Sequence, residues 1–313
     1  MLKLLGFLLL ACLPSGASEL VLGDFKTDLI PHPVPYAVLL PDGYKDGPPL
    51  PMMMYLHGAT QNRGQLVASR SIFDDGWKSG RLPKMVVATI TAGTAGSDCF
   101  YMDFKDGSEK WESLITGPFR TFIQTTYNAS SDPKKNVLFG MSMGGEGALR
   151  IGLKHPNFYA GIAAMEPGLE PVLYWKDVTR QMYFWIPEEQ MEAAFGKPID
   201  ATFWEANNPN LIATLHSKEI LASGLQIWLD VGDDDTLLLF GPVEHFHRIL
   251  WDAGIKHEYH VVHGGDHIGR TLVPRGIDAV EFLGRVVSPQ EPDPDAIMFK
   301  KIMAPMKQKV GLQ

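Results

Sequence analysis

The sequence predicts an α/β protein with a mostly parallel central sheet and helices on both of its faces. Short apolar segments without polar alternation recur along the chain, and segments with helical spacing of apolar residues lie between them. Unbroken apolar segments are typical of strands buried on both faces, and crossover helices join such strands in parallel. The chain has 313 residues, of which 45% are hydrophobic and 20% charged, which is ordinary for a globular protein.

The predicted elements alternate along most of the chain. Strands are predicted at 36–40, 51–56, 85–90, 136–141, 161–165, 225–229 and 257–262. Helices are predicted at 65–80, 111–127, 145–154, 240–253 and 271–286. Residues 170–216 interrupt the alternation and are rich in aromatic side chains. We interpret them as a lid insertion over one edge of the sheet, with a set of ordinary outer helices as the alternative.

Both ends of the chain differ in composition from the domain predicted at 19–287. Residues 1–18 combine a lysine, an apolar run and small residues, which is typical of a cleaved signal peptide. A lipoprotein signal that ends before Cys12 is the alternative, and it would anchor the protein to a membrane through that cysteine. We therefore expect a secreted or periplasmic protein, or else a membrane-anchored lipoprotein. Residues 288–313 are interpreted as a proline-rich linker and a basic tail.

Charge and spacing exclude several classes of partner. A formal net charge of −8 argues against nucleic acid, which calls for a basic face. The apolar run near the N-terminus is too short for an integral membrane span. His245 and His247 are two residues apart on a predicted helix, so they fall on different faces and are interpreted as surface residues rather than metal ligands. We expect no metal and no cofactor.

Ser142 lies between glycines at a junction from strand to helix. It stands in the segment G-M-S-M-G at 140–144, with a predicted strand before it and a predicted helix after it. A serine in such a G-x-S-x-G turn is the nucleophile elbow of an α/β-hydrolase. Residues without a Cβ let the strand and the helix approach closely in this sharp turn. The sequence therefore predicts an α/β-hydrolase fold with Ser142 as nucleophile.

A cluster of acids follows the strand predicted at 225–229. Asp233, Asp234 and Asp235 all lie where an α/β-hydrolase places the acid that orients its histidine. Three consecutive acids are also typical of a solvated loop. Because a loop this short should aim one of them inward, we take Asp235 as the acid.

Two histidines follow the last predicted strand. His263 lies close to the strand end, whereas His267 lies beyond a pair of glycines, in a loop that can reach Ser142. We therefore favour His267 as the general base. The order Ser142, Asp235, His267 is the chain order of the α/β-hydrolase triad.

An oxyanion hole needs two backbone N–H groups near the nucleophile. The N–H of Met143 is the first, because it follows the serine directly. The second should come from the loop after the strand at 51–56, where we assign the N–H of Ala59, with Gly58 as the alternative. Cys99 has no glycine elbow around it and is interpreted as a buried or half-buried residue without a catalytic role.

The motifs together resemble a known family. Four segments resemble the esterase D and S-formylglutathione hydrolase family, and they lie at 140–149, 153–159, 230–235 and 265–267. Residues 100–103 and 111–112 resemble the wider "putative esterase" group of α/β-hydrolases, which includes feruloyl esterases and mycolyltransferases. The resemblance spans roughly residues 34–286. The resemblance implies a serine hydrolase. In this family the acid is the third residue after the glycine that corresponds to Gly232, and that residue is Asp235 here.

Two departures from this family modify the expectation. The chain has H-G-A-T at 57–60, where the formylglutathione enzymes carry a different glycine loop with a cysteine, and it has an export signal, whereas formaldehyde detoxification is cytosolic. We therefore expect an exported serine carboxylesterase that acts on a small-molecule or carbohydrate-linked ester, such as a feruloyl ester. The alternatives are an acyltransferase with the same triad, an S-formylglutathione-type thioesterase and a non-catalytic binding protein. The oligomeric state stays open.

Overall fold

The computed structural model describes residues 18–93 and 98–311, and these residues form one eight-stranded sheet. The predicted signal segment, apart from Ser18, and Cys12 lie outside the described residues. The strands are β1 Glu19–Phe25, β2 Val34–Leu40, β3 Met52–Leu56, β4 Val86–Ile90, β5 Asn136–Met141, β6 Gly161–Met165, β7 Gln226–Gly232 and β8 His257–Val262. Their order is β1-β2-β4-β3-β5-β6-β7-β8. β1 and β2 pair antiparallel, β2 pairs antiparallel with β4, and the remaining pairs are parallel.

Helices lie in the connections between the strands. They are α1 Gly64–Ala68, α2 Arg70–Ser79, α3 Trp111–Thr116, α4 Pro118–Thr126, α5 Met143–Lys154, α6 Glu188–Phe195, α7 Ala201–Asn207, α8 Pro209–Leu215, α9 Ser217–Ser223, α10 Phe240–Asp252, α11 Leu272–Val287 and α12 Pro294–Lys309. None of the described helices combines the length and hydrophobicity that crossing a bilayer requires. The predicted α/β-hydrolase architecture, a mostly parallel sheet with helices on both faces, is confirmed.

The sheet divides the core into two layers. In β3, Met52 and Met54 pack into the larger core with α3, α4, α5 and α10, whereas Met53 and Tyr55 pack into the smaller core with α2 and α11. All five residues of β3 are buried. Burial of both faces explains why the strand segments of the sequence show no polar alternation.

Some element bounds differ from the predicted ones. The helix predicted at 65–80 is two helices that meet at Ser69, and the helix predicted at 111–127 is broken at Gly117, where Pro118 starts a new helix. Proline is accommodated in the first turn of a helix but not in its interior. β1 was not predicted, because it is a half-exposed edge strand.

Residues 170–216 lie between β6 and β7 and carry α6, α7 and α8. Met191, Phe195, Trp204 and Ile212 are buried in the larger core, so this segment packs against the sheet domain through its own apolar side chains. The interpretation of the segment as a lid stays a prediction. Beyond α11, the helix α12 has no buried residue.

Candidate active site

Ser142 occupies a strained turn between β5 and α5. Its φ of 55° and ψ of −119° place a residue with a Cβ in backbone space that favours glycine. Its own N–H donates to the carbonyl of Met165 at the end of β6 (2.9 Å). Since β5 ends at Met141 and α5 begins at Met143, the serine side chain stands at the C-terminal edge of the sheet and the helix N-terminus faces it.

Two glycines beside Ser142 are required by close packing. A Cβ on Gly140 would lie 1.9 Å from the carbonyl oxygen of Gly144, and a Cβ on Gly144 would lie 2.1 Å from the carbonyl oxygen of Leu56. Neither backbone oxygen can move without displacing β3 or α5. The glycines of the motif therefore reflect the contact between the helix and two neighbouring strands, as the sequence reasoning supposed.

The structure brings Ser142, His267 and Asp235 together. The His267 Nε2 atom is 3.0 Å from the Ser142 Oγ atom, and the His267 Nδ1 atom is 2.9 Å from an Asp235 carboxylate oxygen. With the proton on Nδ1, the imidazole donates to Asp235 and accepts from the serine hydroxyl. In this arrangement His267 is able to take the serine proton while Asp235 holds its tautomer.

The alternative acids and the alternative histidine lie elsewhere. Asp233 is exposed and contacts His263 (2.9 Å), whose side chain is 99% exposed, and Asp234 is also exposed. The Asp235 side chain is buried, and its second carboxylate oxygen accepts from the backbone N–H of Leu237 (2.8 Å). The tight turn after β7 thus aims one of three consecutive acids inward.

Asp266 connects the loop after β7, which carries Asp235, to the loop after β8, which carries His267. The sequence reasoning did not identify this role. The Asp266 carboxylate accepts from the backbone N–H of Thr236 (2.7 Å), from the Thr236 hydroxyl (2.9 Å) and from the backbone N–H of His267 (2.6 Å). The hydrogen bonds from Thr236 lower the pKa of Asp266. These contacts set the position of His267 relative to the loop that carries Asp235.

The surroundings of His267 favour its charged form. Burial lowers the pKa of His267, but the hydrogen bond to Asp235 and the charge of Glu166 outweigh burial and raise that pKa above its usual range. Glu166, which the sequence reasoning missed, is completely buried and has an oxygen 3.9 Å from the His267 Nδ1 atom. It follows β6 directly, but a single glutamate after a strand carries no recognisable motif.

The loop after β3 carries both candidates for the second oxyanion donor, Ala59 and Gly58. The N–H of Gly58, the alternative, donates to the side-chain oxygen of Gln65 (3.0 Å). Within the described residues, the N–H groups of Ala59 and Met143 have no protein acceptor, and both residues line the same cavity as Ser142. These two groups are thus free to bind an oxyanion, as an oxyanion hole requires.

His57 braces this loop from within the core. Its Nδ1–H donates to the carbonyl of Gly58 (2.8 Å), and its Nε2 atom accepts from the N–H of Ala92 (2.9 Å). These contacts require the neutral ring, and burial lowers the pKa of His57 accordingly. His57 is therefore a structural residue.

A cavity of about 420 Å³ opens beside Ser142. Its lining combines polar residues from the loop and helix α1 after β3 and from the loop after β4 with apolar residues from the segment between β6 and β7 and from the loops that follow β7 and β8. They include Thr60, Gln61, Gln65, Asp98, Trp185, Ile186, Leu237 and Ile268.

Glu166, Asp235 and His267 bring donor atoms within 4.8 Å of one another, a spacing at which a metal ion could be held. Two observations favour a hydrogen-bonded relay instead. The His267 ring already contacts Asp235 and Ser142, and the Arg275 guanidinium contacts Glu166 at 2.6 Å. A cation beside Glu166 would also be repelled by the positive charge of that guanidinium.

Comparison with known families identifies the chain. A family model described as "Putative esterase" matches residues 28–271, which is most of the chain and includes the three residues of the relay. The chain belongs to this esterase family. The resemblance noted from the motifs is confirmed.

The curated relatives of this chain include both hydrolases and acyltransferases. A diacylglycerol acyltransferase/mycolyltransferase of Mycobacterium leprae is 22% identical over 66% of this chain and 64% of its own length. An esterase of Mycobacterium tuberculosis is 25% identical over 79% of this chain and 55% of its own length. The S-formylglutathione hydrolase of Mus musculus is 30% identical over 45% of each chain. The chain thus spans about half to two thirds of the length of these curated relatives.

Solved structures share the fold of this chain. A ferulic acid esterase superimposes with a TM-score of 0.71 at 20% identity, covering 86% of this chain and 99% of that one. An S-formylglutathione hydrolase from Agrobacterium tumefaciens superimposes with a TM-score of 0.69 at 17% identity, covering 88% of this chain and 97% of that one. At this level of identity the likeness is one of fold.

Proposed function

We propose that the protein is an exported serine carboxylesterase that hydrolyses its substrate through an acyl-enzyme intermediate. The observation that carries the proposal is the relay from Asp235 through His267 to Ser142, with contacts of 2.9 Å and 3.0 Å at the edge of an open cavity. A serine hydroxyl is a weak nucleophile at neutral pH, and an adjacent oriented imidazole is what activates it.

The reaction follows the positions of these groups. His267 removes the Ser142 proton as the serine oxygen attacks the ester carbonyl, and the oxyanion accepts hydrogen bonds from the N–H groups of Ala59 and Met143. The C–O bond of the ester then breaks, and His267 returns the proton to the leaving alcohol. A water molecule, deprotonated by His267, attacks the acyl-serine, and collapse of that second tetrahedral intermediate releases the acid and restores the Ser142 hydroxyl.

The cavity lining supports an ester with an apolar acyl group and a polar, carbohydrate-like alcohol. Trp185, Ile186 and Leu237 offer apolar surface, while Gln61 and Asp98 offer hydrogen-bonding groups in the same cavity. Feruloyl esters of sugars have this combination. Export, proposed from residues 1–18, would bring the enzyme to such external substrates, and a lipid anchor on Cys12 is the alternative route.

Replacement of Ser142 by alanine tests the proposed nucleophile. We expect Ser142→Ala to lower turnover of p-nitrophenyl acetate at least about a thousandfold, because the acyl-enzyme cannot form. Labelling by a fluorophosphonate probe should be lost with it. The matched control is Ser108→Ala, which changes an exposed serine outside the cavity and should turn over and label like the original protein. Turnover by a folded Ser142→Ala variant near the original rate would contradict the proposal.

Acyl transfer is the second candidate, because an acyltransferase of Mycobacterium leprae is among the relatives. The same acyl-serine would then pass its acyl group to a sugar hydroxyl instead of water. Product ratios measured with and without an added sugar acceptor separate the two. Transfer that dominates in dilute aqueous acceptor would favour the acyltransferase.

A further inference from the structure

Glu166 lies beside Ser142 because of the strand register. Met141 pairs with Met165 in neighbouring parallel strands, so the residue that follows each strand stands at the same edge of the sheet. The Glu166 side chain is completely buried, and its backbone φ of 36° lies in the left-handed region. Its N–H donates to the backbone carbonyl of Asp230 (3.0 Å) and to the Asp230 carboxylate (3.0 Å).

The Glu166 carboxylate is placed between an arginine and the histidine of the relay. One oxygen is 2.6 Å from a terminal nitrogen of Arg275, and the other is 3.9 Å from the His267 Nδ1 atom. Arg275 also contacts both carboxylate oxygens of Asp230 (2.5 Å and 3.0 Å). Arg275 therefore has a buried carboxylate partner in Asp230 even without Glu166.

The ionisable groups around His267 carry an excess of negative charge. These groups are four acids and one arginine. Glu166 follows β6, Asp230 lies in β7, Asp235 and Asp266 lie in the loops after β7 and β8, and Arg275 lies in α11. One guanidinium is shared by two buried carboxylates, so the pair is left with one negative charge when both are ionised. His267 becomes a positively charged imidazolium when it accepts the serine proton. The remaining negative charge lies close enough to attract that imidazolium.

We propose that Glu166 is a second positioning carboxylate for His267, which stabilises the imidazolium electrostatically while Asp235 holds the Nδ1–H. The inference rests on the proposed serine mechanism. Asp235 makes the hydrogen bond, and Glu166 contributes charge from 3.9 Å without displacing it. Burial raises the pKa of Glu166 to about 7, with Arg275 and His267 opposing that rise, so the carboxyl is about half ionised near pH 7 and carries its full charge at alkaline pH.

The sign of the effect on activity follows from the protonation states. The base must be the neutral imidazole, so kcat/KM falls as pH drops through the pKa of His267. Removing a nearby negative charge destabilises the imidazolium and lowers that pKa. Loss of Glu166 should therefore move the acidic limb of the profile to lower pH, while the imidazolium of the transition state is less stabilised and kcat falls.

The test compares pH profiles of the original enzyme and Glu166→Gln with p-nitrophenyl acetate. We expect kcat to fall about tenfold with little change in KM, and the acidic limb of kcat/KM to move down by about one pH unit. In Glu166→Asp, which keeps the charge, the acidic limb of kcat/KM should lie close to its original pH. Glu258→Gln is the matched control, because Glu258 is an exposed carboxylate 3.2 Å from the exposed His260. It should leave the profile unchanged.

An NMR titration of His267 in Ser142→Ala decides the inference without turnover. We expect the His267 ring resonances to show a second inflection near the pKa of Glu166, and Glu166→Gln to remove it. A single unperturbed inflection, or a Glu166→Gln enzyme with the original acidic limb, would overturn the inference. If the unmodified protein neither turns over esters nor reacts with fluorophosphonate, the proposed function is overturned instead. The NMR titration would still show whether Glu166 changes the pKa of His267.

Discussion

Ser142 has a backbone conformation that its neighbours impose. A φ of 55° is costly for a residue with a Cβ, and it persists because β5, β6 and α5 all hold the turn in place. The strain aims the hydroxyl at His267. The glycine pattern alone indicates this conformation, since few other combinations of residues let a helix leave a parallel strand so sharply.

Asp235 shows what residue-level pattern leaves undecided. Asp233, Asp234 and Asp235 are chemically identical, and only the path of the turn after β7 buries one of them against His267. The choice of Asp235 from the sequence depended on chain spacing and on the family resemblance. The geometry agrees with that choice, since the Asp235 carboxylate lies 2.9 Å from the His267 Nδ1 atom.

Cys99 gives a prediction at this scale. Its thiol is completely buried and accepts a hydrogen bond from the N–H of Tyr101 (3.3 Å), and burial raises its pKa well above the usual range. In protein that lacks residues 1–18, we expect no reaction with a disulfide-forming thiol reagent under native conditions and one equivalent in denaturant. Ester turnover should be unaffected. Rapid native labelling, measured by absorbance, would contradict this, with Cys99→Ser as the control.

Arg150 connects α5 to the segment between β6 and β7. Its side chain is 1% exposed, and it contacts the Glu146 carboxylate, the carbonyl of Phe100 and the carbonyl of Asn207 (2.7 Å). The helix that begins at the candidate nucleophile is thereby tied to α7. The sequence predicted only a helix here, because a buried arginine cannot be told from an exposed one by spacing.

Replacement of Arg150 tests this connection. Arg150→Met should lower the free energy of unfolding by about 3–5 kcal/mol, because it leaves the buried Glu146 charge and two backbone carbonyls without their partner. Urea denaturation measures the change. Arg248→Met on α10, which removes an exposed arginine 3.4 Å from Glu244, should change stability by less than about 0.5 kcal/mol. Equal effects of the two variants would show that Arg150 does not hold α7.

At the scale of the whole molecule, the helix α12 stands apart from the sheet domain. None of its residues is buried, and Ile297, Met298, Phe299, Ile302 and Met306 expose their apolar side chains. α11, in contrast, buries Phe282, Leu283 and Val286 against the sheet. We therefore expect α11 to be the last element that contributes to the stability of the sheet domain.

Truncation tests that boundary. Deletion of residues 291–313 should leave the unfolding temperature and ester turnover unchanged, since no buried apolar surface is lost. Truncation after Glu281 removes three buried side chains and should abolish cooperative unfolding. Thermal unfolding followed by circular dichroism measures both. A marked loss of stability in the shorter deletion would mean that α12 packs on the domain.

The sequence by itself determined the class of fold, the order of most strands and helices, and the candidate serine in its glycine turn. These follow from local rules: burial on two faces removes polar alternation, and a close strand-to-helix turn requires glycine. The tertiary structure alone decided the break at Ser69, the edge strand β1, which of the three consecutive acids is buried against His267, and the burial of Glu166 beside His267. Each of these depends on which distant segment covers a residue, and Glu166 meets Arg275 and His267 only because parallel register brings the ends of β5, β6 and β7 to one edge.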